Sequence, residues 1–307
     1  MQVLSRNQRR ITMNKPLGIG LALALVCLLA LGAAAQEKKG LKVYISVDME
    51  GIGGVVTRDQ TGPQGWEYQQ ARKWMTAEAN AAIEGAFEAG ATEVLVSDSH
   101  GNAQSLILDE LDPRVRLIRA WPRKLIMMEG IDESFDAALF IGYHASAGKR
   151  HATLAHTMSS RRLFNVKLNG QTVPEAGFNA AIAGHFGVPV VLVSGDQTII
   201  AETRTLVGAI EGAEVKTGIG TVAKMMHPTK AQALIKERAK AALARLGDFK
   251  PWRLSTPITI EITFKSEENA EVVGFFPGVR MVDGRTIQYT GKDMVEISGF
   301  LSALLGL

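Results

Sequence analysis

Acidic and imidazole side chains occur just after several short apolar runs of this sequence. Asp48 and Glu50 follow residues 41–47, and His100 and His144 follow two later runs. Two carboxylates at positions i and i+2 of an extended segment face the same side, so Asp48 and Glu50 can bind one ion or share a pair of ions. Carboxylate oxygens together with two imidazoles suit zinc, or manganese or cobalt in its place. These residue types therefore predict a metal centre.

Each of these residues also has a structural interpretation when it is taken singly. An aspartate at the end of a strand is commonly a helix N-cap, and a lone histidine after a strand is more often hydrogen-bonded than metal-bound. The metal interpretation rests on the joint placement of the residues. The spacing between them is long and is far less specific than a His-Glu-x-x-His helix.

The elements that must position these side chains follow an alternating pattern. From Leu41 onwards, short β-branched runs alternate with amphipathic helical stretches, which is typical of an α/β fold with a largely parallel sheet flanked by helices. In such a sheet, functional groups gather beyond the carboxyl ends of the strands. The pattern predicts strands over residues 41–47, 92–97, 115–120, 137–143 and 188–194, and helices over residues 68–89, 176–186, 199–209 and 229–246.

Turn and breaker residues divide the rest of the chain. Asn169-Gly170 predicts a β-hairpin between residues 164–168 and 171–173, since Asn-Gly is the strongest two-residue turn signal. Pro251 and Pro257 mark a change in character, after which residues 258–264 alternate as a half-exposed strand and residues 294–305 form an apolar helix. We expect a metal-binding α/β catalytic domain over residues 36–250 and a smaller C-terminal α+β segment over residues 251–307, packed on it.

The N-terminal 35 residues have the pattern of a signal peptide. Four basic residues precede an apolar run over residues 17–35 that ends in three alanines. We expect cleavage before Gln36 and a periplasmic or secreted protein. The alternative is a retained anchor, because about 19 apolar residues can just span a bilayer. The membrane would then be contacted through this segment alone.

Removal of this segment changes both the charge and the cysteine content. The remaining chain has 30 Lys and Arg against 31 Asp and Glu, and it has no basic cluster with interleaved aromatics, so we expect no nucleic-acid partner. The single cysteine, Cys27, lies inside the removed segment. A metal in the mature chain must therefore be held by histidine and carboxylate side chains.

Five segments of the sequence resemble a known enzyme family. SVDMEGI, VSDSHG, LFIGYHA, AHTM and NGQTVPEAGFNA, spread over residues 41–196, are similar to segments of the D-aminopeptidase family of dinuclear zinc metallopeptidases. The resemblance implies an α/β fold, two Zn²⁺ ions, a short peptide substrate and a homo-oligomer, expected to be a decameric ring. The match is weaker beyond Asp196.

The resemblance also implies a role for individual residues. Asp48 would bridge two zinc ions, with Glu50 and His100 completing one site and His144 and Glu175 the other. The family's catalytic histidine falls on His156. Taken alone, the position of Glu175 predicts a structural residue in the first turn of a helix, where the helix dipole favours its negative charge. Asn179, one helical turn later, is a candidate for binding the substrate amine or orienting a ligand, and a structural hydrogen bond is its alternative.

The sequence is compatible with three functions. The first is an exported zinc aminopeptidase acting on N-terminal, and by resemblance D-, amino acids. The second is another dinuclear metallohydrolase, such as an amidase or phosphoesterase, because a carboxylate-bridged metal pair hydrolyses several kinds of bond. The third is a non-catalytic periplasmic protein that binds a solute or a metal. His156 argues against the third, since a simple binder needs no additional imidazole beside a filled site.

Overall fold

The computed structural model describes residues 40–306, and the predicted signal peptide over residues 1–35 lies outside them. Within the described residues the chain forms a seven-stranded sheet, a five-stranded sheet and six α-helices. The α/β class with a largely parallel sheet flanked by helices is confirmed. None of the helices in this part of the chain is long and apolar enough to cross a membrane.

The strands and helices are numbered in chain order. The strands are β1 (Leu41–Val47), β2 (Ala91–Asp98), β3 (Arg116–Ile118), β4 (Ala137–Ile141), β5 (Leu163–Leu168), β6 (Gln171–Thr172), β7 (Val190–Asp196), β8 (Glu211–Ile219), β9 (Val222–Met225), β10 (Ile258–Phe264), β11 (Arg280–Met281) and β12 (Thr286–Gly291). The helices are α1 (Tyr68–Glu88), α2 (Glu175–His185), α3 (Gln197–Val207), α4 (Pro228–Leu243), α5 (Glu267–Gly274) and α6 (Met294–Gly306).

The seven-stranded sheet is buried on both faces. Its strand order is β3-β2-β1-β4-β7-β8-β9, and all neighbours are parallel except β8 and β9. Val43 and Ile45 of β1 pack with α1 and α4 on one face, whereas Tyr44 and Phe140 pack with α2, α3 and the second sheet on the other. Burial of both faces explains why β1 and β4 are continuous apolar runs rather than alternating ones.

The order of the parallel strands reverses between β1 and β4. From β1 the chain moves outwards to β2 and β3, and it then returns to β4 on the other side of β1. The chain therefore continues from β1 towards one edge of the sheet and from β4 towards the other edge. Ligands of open α/β sheets bind at such a point, so we expect a site at the residues that follow β1, β2 and β4.

The second sheet joins the middle of the chain to its C-terminal part. Its order is β11-β12-β10-β5-β6 with antiparallel neighbours, and β10 pairs with both β5 and β12. The predicted hairpin at Asn169-Gly170 is confirmed, since both turn residues have positive φ, at 48° and 80°. The division of the chain at residue 250 stays a prediction.

Most predicted elements occur close to their expected places, but strands β8, β9, β11 and β12 and helix α5 were not individually predicted. The helix expected over residues 68–89 is Tyr68–Glu88, while the strand expected over residues 115–120 is only Arg116–Ile118. Strands β8 and β9 were not predicted. Residues 211–219 contain two glutamates and a lysine, so local hydropathy does not indicate that they pair beside β7.

Candidate metal centre

Three parallel strand ends meet where the strand order reverses. Val47 at the end of β1 is in register with Asp98 of β2 and with Ile141 of β4. Hydrogen bonds continue this register beyond the strands, because the Asp48 amide donates to the Ile141 carbonyl at 2.8 Å and the Ser99 amide donates to the Val47 carbonyl at 2.9 Å. The side chains that follow these strands are Asp48 and Glu50, His100, and His144.

Glycines let the loops after β1 and β4 lie against each other. The Gly51 amide donates to the Gly142 carbonyl at 2.7 Å, and a Cβ on Gly51 would lie 2.0 Å from the Tyr143 carbonyl oxygen. Gly142 has φ of +73°, and its Cβ would lie 2.2 Å from the Asp48 carbonyl oxygen. A side chain at either position would push apart the two backbones that carry the predicted ligands.

Asp48, Glu50 and His100 form the first group of potential ligands. The Nδ1 atom of His100 lies 3.2 Å from Asp48 Oδ1 and 2.9 Å from Glu50 Oε2. The other ring nitrogen, Nε2, lies 2.7 Å from the Thr61 carbonyl oxygen, which can only accept a hydrogen bond. This contact assigns the proton of a neutral ring to Nε2. The lone pair of Nδ1 is then directed at two carboxylates.

His144 repeats this arrangement on the other side of Asp48. Its Nδ1 atom lies 3.1 Å from the Ala145 carbonyl oxygen and carries the proton of the neutral ring. Its Nε2 atom lies 3.4 Å from Asp48 Oδ2 and 3.4 Å from Glu175 Oε1. The lone pair of Nε2 is therefore also directed at two carboxylate oxygens.

His156 lies beside His144, and the two rings are stacked with their centroids 4.0 Å apart. The Nδ1 atom of His156 lies 2.8 Å from the Leu154 carbonyl oxygen, and Nε2 lies 3.7 Å from Glu175 Oε1. His144, His156 and Glu175 offer ligand atoms within 4.8 Å of one another, as do Asp48, Glu50 and His100. The geometry thus allows His156 to act either as a ligand or as a free imidazole.

The facing atoms of this centre need positive charge between them, supplied either by protons on the rings or by metal cations. Carboxylate oxygens and unprotonated ring nitrogens both carry lone pairs and repel at these distances. Asp48 Oδ2 and His144 Nε2 are buried and have no hydrogen-bond partner among the described residues. Backbone carbonyls that fix the outer ring nitrogen are a common second layer around metal-bound histidines. The residues fit a metal centre in which Asp48 is shared between two positions.

The pKa shifts of the buried carboxylates and histidines also indicate that this centre must bind positive charge. Burial and the charge of Glu50 raise the pKa of Asp48 to about 7. Burial opposes the charged form of His144, but Glu175 and Asp48 prevail and raise its pKa to about 10. Burial likewise opposes ionisation of Glu50, yet His100 holds its pKa well below the usual range. Either protons or metal cations must therefore neutralise the buried carboxylates.

Glu175 reaches the centre from the first residue of α2. Pro174 precedes it in an extended conformation, which suits the start of a helix. The Met158 amide donates to Glu175 Oε1 at 2.6 Å, and the carboxylate is almost fully buried. The helix N-terminus favours the negative charge of Glu175. Glu175 can therefore occupy the first turn of α2 and also serve as a metal ligand beside His144.

Sequence comparison decides the family. A family model described as D-aminopeptidase matches residues 41–303. The chain belongs to the D-aminopeptidase family. The resemblance seen in the five sequence segments is confirmed, and so is the expected enzyme class, a metallo-aminopeptidase.

A curated sequence and a solved structure, both from Bacillus subtilis, agree with this D-aminopeptidase assignment. A D-aminopeptidase of strain 168 is 36% identical over 261 residues, which cover 83% of this chain and 93% of the relative. A solved structure of the Zn-dependent D-aminopeptidase DppA, a self-compartmentalizing protease, superposes with a TM-score of 0.84 at 34% identity. The match covers 87% of this chain and 97% of that chain.

Asn179 lies in a buried hydrogen-bond chain behind the centre. Its Nδ2 atom donates to the Tyr143 hydroxyl at 2.9 Å, and that hydroxyl donates to Ser46 Oγ at 2.7 Å. Asn179 does not line the cavity that opens over the ligands. These contacts correspond to the structural alternative for Asn179, and its role in substrate binding stays a prediction.

Two buried ionisable residues beside this D-aminopeptidase centre, Lys216 and Glu78, were missed in the sequence analysis. Lys216 of β8 donates from Nζ to the carbonyls of Glu50, Ile52 and Val55, at 2.5, 3.2 and 2.5 Å. It gave no local signal, because its strand was not predicted. Glu78 accepts the Gly53 amide at 2.8 Å. Its position on the apolar stripe of α1, three residues after Met75, was a signal that could have identified it.

Proposed function

We propose that this chain is an exported aminopeptidase that removes N-terminal D-amino acids from short peptides with two zinc ions bound. The placement of Asp48 carries the proposal, because Oδ1 faces His100 and Oδ2 faces His144. A carboxylate in that position suits a bridge between two cations. The zinc dependence of the Bacillus subtilis relative supports the choice of metal, and the same oxygen and imidazole atoms also suit manganese or cobalt.

The protein's own residues divide into holding groups and a proton-transfer group. Glu50 and His100 would hold the first ion with Asp48, and His144 and Glu175 would hold the second. Two ions held by these residues would supply Lewis-acid chemistry, lowering the pKa of bound water and polarising the scissile carbonyl. His156 has Nδ1 anchored on the Leu154 carbonyl, which leaves Nε2 as the atom that accepts a proton and returns it to the leaving amine.

The decisive experiment is hydrolysis of matched enantiomers. We expect the purified chain lacking residues 1–35 to release product from D-alanine p-nitroanilide faster than from L-alanine p-nitroanilide, and a chelator to abolish both reactions. Zinc should restore them. Equal rates for the two enantiomers would remove the D-specific part of the proposal. Absence of hydrolysis, together with turnover of a phosphate ester, would favour a phosphoesterase instead.

The export and assembly parts of the proposal have separate tests. Mass spectrometry of the protein from its native host should give a mature N-terminus at Gln36, whereas an intact N-terminus would favour an anchor. The self-compartmentalizing description of the Bacillus subtilis relative supports a homo-oligomer, and the proposed form is a decamer. Sedimentation velocity should yield a single species of about ten times the mass of one chain. A monomer would overturn the assembly.

A further inference from the structure

A continuous groove crosses the metal centre. Three adjoining cavities have volumes of about 340, 330 and 260 Å³. The middle cavity opens over Asp48, Glu50 and His100 and shares lining residues with each of the other two. A ligand that crosses the centre can therefore occupy all three.

The two ends of the groove differ in chemistry. One end is mainly apolar, and its lining includes Trp121, Ile126 and Met127. The opposite end is lined by Arg58 and Arg161, and Arg161 also lines the middle cavity. Among the described residues that line the three cavities, these two carry the only guanidinium groups, and no lysine joins them. The groove therefore has a cationic side and an apolar side of the metal centre.

Neither guanidinium is engaged by another residue in the described part of the chain. Between residues 40 and 306, no carboxylate forms an ion pair and no acceptor forms a hydrogen bond with the side chain of Arg58 or Arg161, and both residues are exposed. A free guanidinium presents a planar set of donors that matches the two oxygens of a carboxylate. Two of them at one end of a groove form a binding position for an anionic group.

Both arginines belong to segments that also contact the metal centre. Arg58 begins the 3-10 helix Arg58–Gln60, and the next residue, Thr61, accepts the hydrogen bond of His100 Nε2 at 2.7 Å. Arg161 lies five residues after His156, and the Ser160 carbonyl accepts Lys265 Nζ at 2.5 Å. These contacts hold the cationic end at a defined separation from the ligand side chains.

We propose that Arg58 and Arg161 bind the free C-terminal carboxylate of a short peptide whose first peptide bond lies at the metal centre. This inference rests on the proposed aminopeptidase function and narrows its substrate class to dipeptides and similarly short peptides with a free C-terminus. A bound substrate carboxylate needs a counter-charge, and the only guanidinium groups among the described residues that line the groove belong to Arg58 and Arg161. The arginine end is the part of the groove that compensates its charge, and it orients the peptide with its N-terminal residue towards the apolar end.

A pair of substrates with the same scissile bond tests the inference. Release of D-alanine is measured from D-alanylglycine and from D-alanylglycinamide, which differ in the terminal charge. We expect kcat/KM to favour the free acid by about 10-fold or more, as for a charge-assisted hydrogen bond. The ratio should fall towards one in Arg58→Gln and Arg161→Gln, and furthest in the double variant. Arg161→Lys should retain part of it, because lysine keeps the charge without the planar donors.

Arg253→Gln is the matched control. Arg253 is also exposed, and it lies beside Gly187, beyond the C-terminal end of α2, whereas Glu175 begins that helix. This variant should keep both the rates and the ratio of the wild-type protein. An acid-to-amide ratio near one in the wild-type protein, or a ratio unchanged in the double variant, would overturn the inference.

Calorimetric binding of the same two ligands separates this inference from the proposed function. Tighter binding of the acid that is lost in the double variant, without hydrolysis of either ligand, would support the carboxylate position and contradict the peptidase. Hydrolysis of both ligands at equal rates with equal affinities would support the peptidase and contradict the carboxylate position.

Discussion

The three histidines of the metal centre share one design feature. His100, His144 and His156 each direct one ring nitrogen at a backbone carbonyl and the other at a carboxylate. A carbonyl cannot donate, so it selects the tautomer and fixes the ring plane. The remaining lone pair is then available before any metal arrives, which reduces the reorganisation that metal binding requires.

At the residue scale, Asp48 should matter more for metal content than any other single ligand. Asp48→Asn removes one charge from a side chain that faces both groups, so we expect the zinc content to fall in both positions. Glu175→Gln should affect mainly one of them. Asp98→Asn is the control, because Asp98 is buried next to this loop but its Oδ2 accepts the Leu106 amide at 2.7 Å. Elemental analysis measures the zinc, and full occupancy in Asp48→Asn would contradict a shared carboxylate.

Protonation of His156 should determine the fall of kcat/KM at low pH. Burial and the neighbouring charge of His144 lower its pKa below the ordinary value of 6.5. The Nε2 lone pair is therefore free at neutral pH, and kcat/KM should fall only when the pH drops below about 6.5, as protonation removes the proton acceptor. Hydrolysis rates measured from about pH 4.5 to 8, with the zinc content measured at each pH, should show this fall in kcat/KM. His156→Gln should lack it, and an unchanged fall in that variant would assign the titration to another group.

At the scale of elements, β8 stabilises the loop that carries Glu50. The buried ammonium of Lys216 donates hydrogen bonds to three carbonyls of residues 50–55 and so ties this loop to β8. Burial lowers the pKa of Lys216 to about 8, against the opposing charges of Asp196 and Glu78. Lys216 is thus a positioning residue, acting on the metal ligand through the backbone.

Lys216→Met should destabilise the metal-free fold by about 2 to 4 kcal/mol, since it leaves buried carbonyls unpaired. It should also weaken zinc binding, because the Glu50 backbone loses its anchor. Lys224→Met is the matched control, as Lys224 is exposed on the neighbouring strand β9. Urea unfolding in the presence of a chelator measures the first effect, and competition with a zinc indicator measures the second. Equal stability of the two variants would rule out this role.

At the scale of the whole molecule, the metal centre costs folding free energy unless cations are bound. It gathers three buried carboxylates at the junction of β1, β2, β4 and α2. Metal that binds only the folded state contributes about 4 kcal/mol at a free concentration of 1,000 times Kd. We therefore expect a chelator to lower Tm by roughly 10 °C. Calorimetry with and without chelator measures the shift, and Asp48→Asn should show almost none. An unchanged Tm in the wild-type protein would contradict a filled centre.

Local sequence patterns were sufficient for the strands that carry the ligands. The runs that became β1, β2 and β4 are apolar because the sheet is covered on both faces, and this burial is visible in the residues themselves. The same rule failed for β8, whose Lys216 looks like a surface residue until the carbonyls of the β1 loop surround it. A strand that contains a buried charged residue is therefore the kind of element that local hydropathy most easily fails to predict.

The sequence by itself determined the ligand types, the absence of thiolate chemistry in the chain after residue 35, and the strand ends from which Asp48, Glu50, His100 and His144 emerge. Only the tertiary structure decided that Asp48 lies between the two groups and that His156 stacks on His144. It also brought Arg58 and Arg161 to one end of the groove. The physical reason is that hydropathy periodicity encodes which face of an element is buried, whereas contacts between distant residues depend on strand order and register. Strand order and register are in turn determined by the packing of the whole sheet.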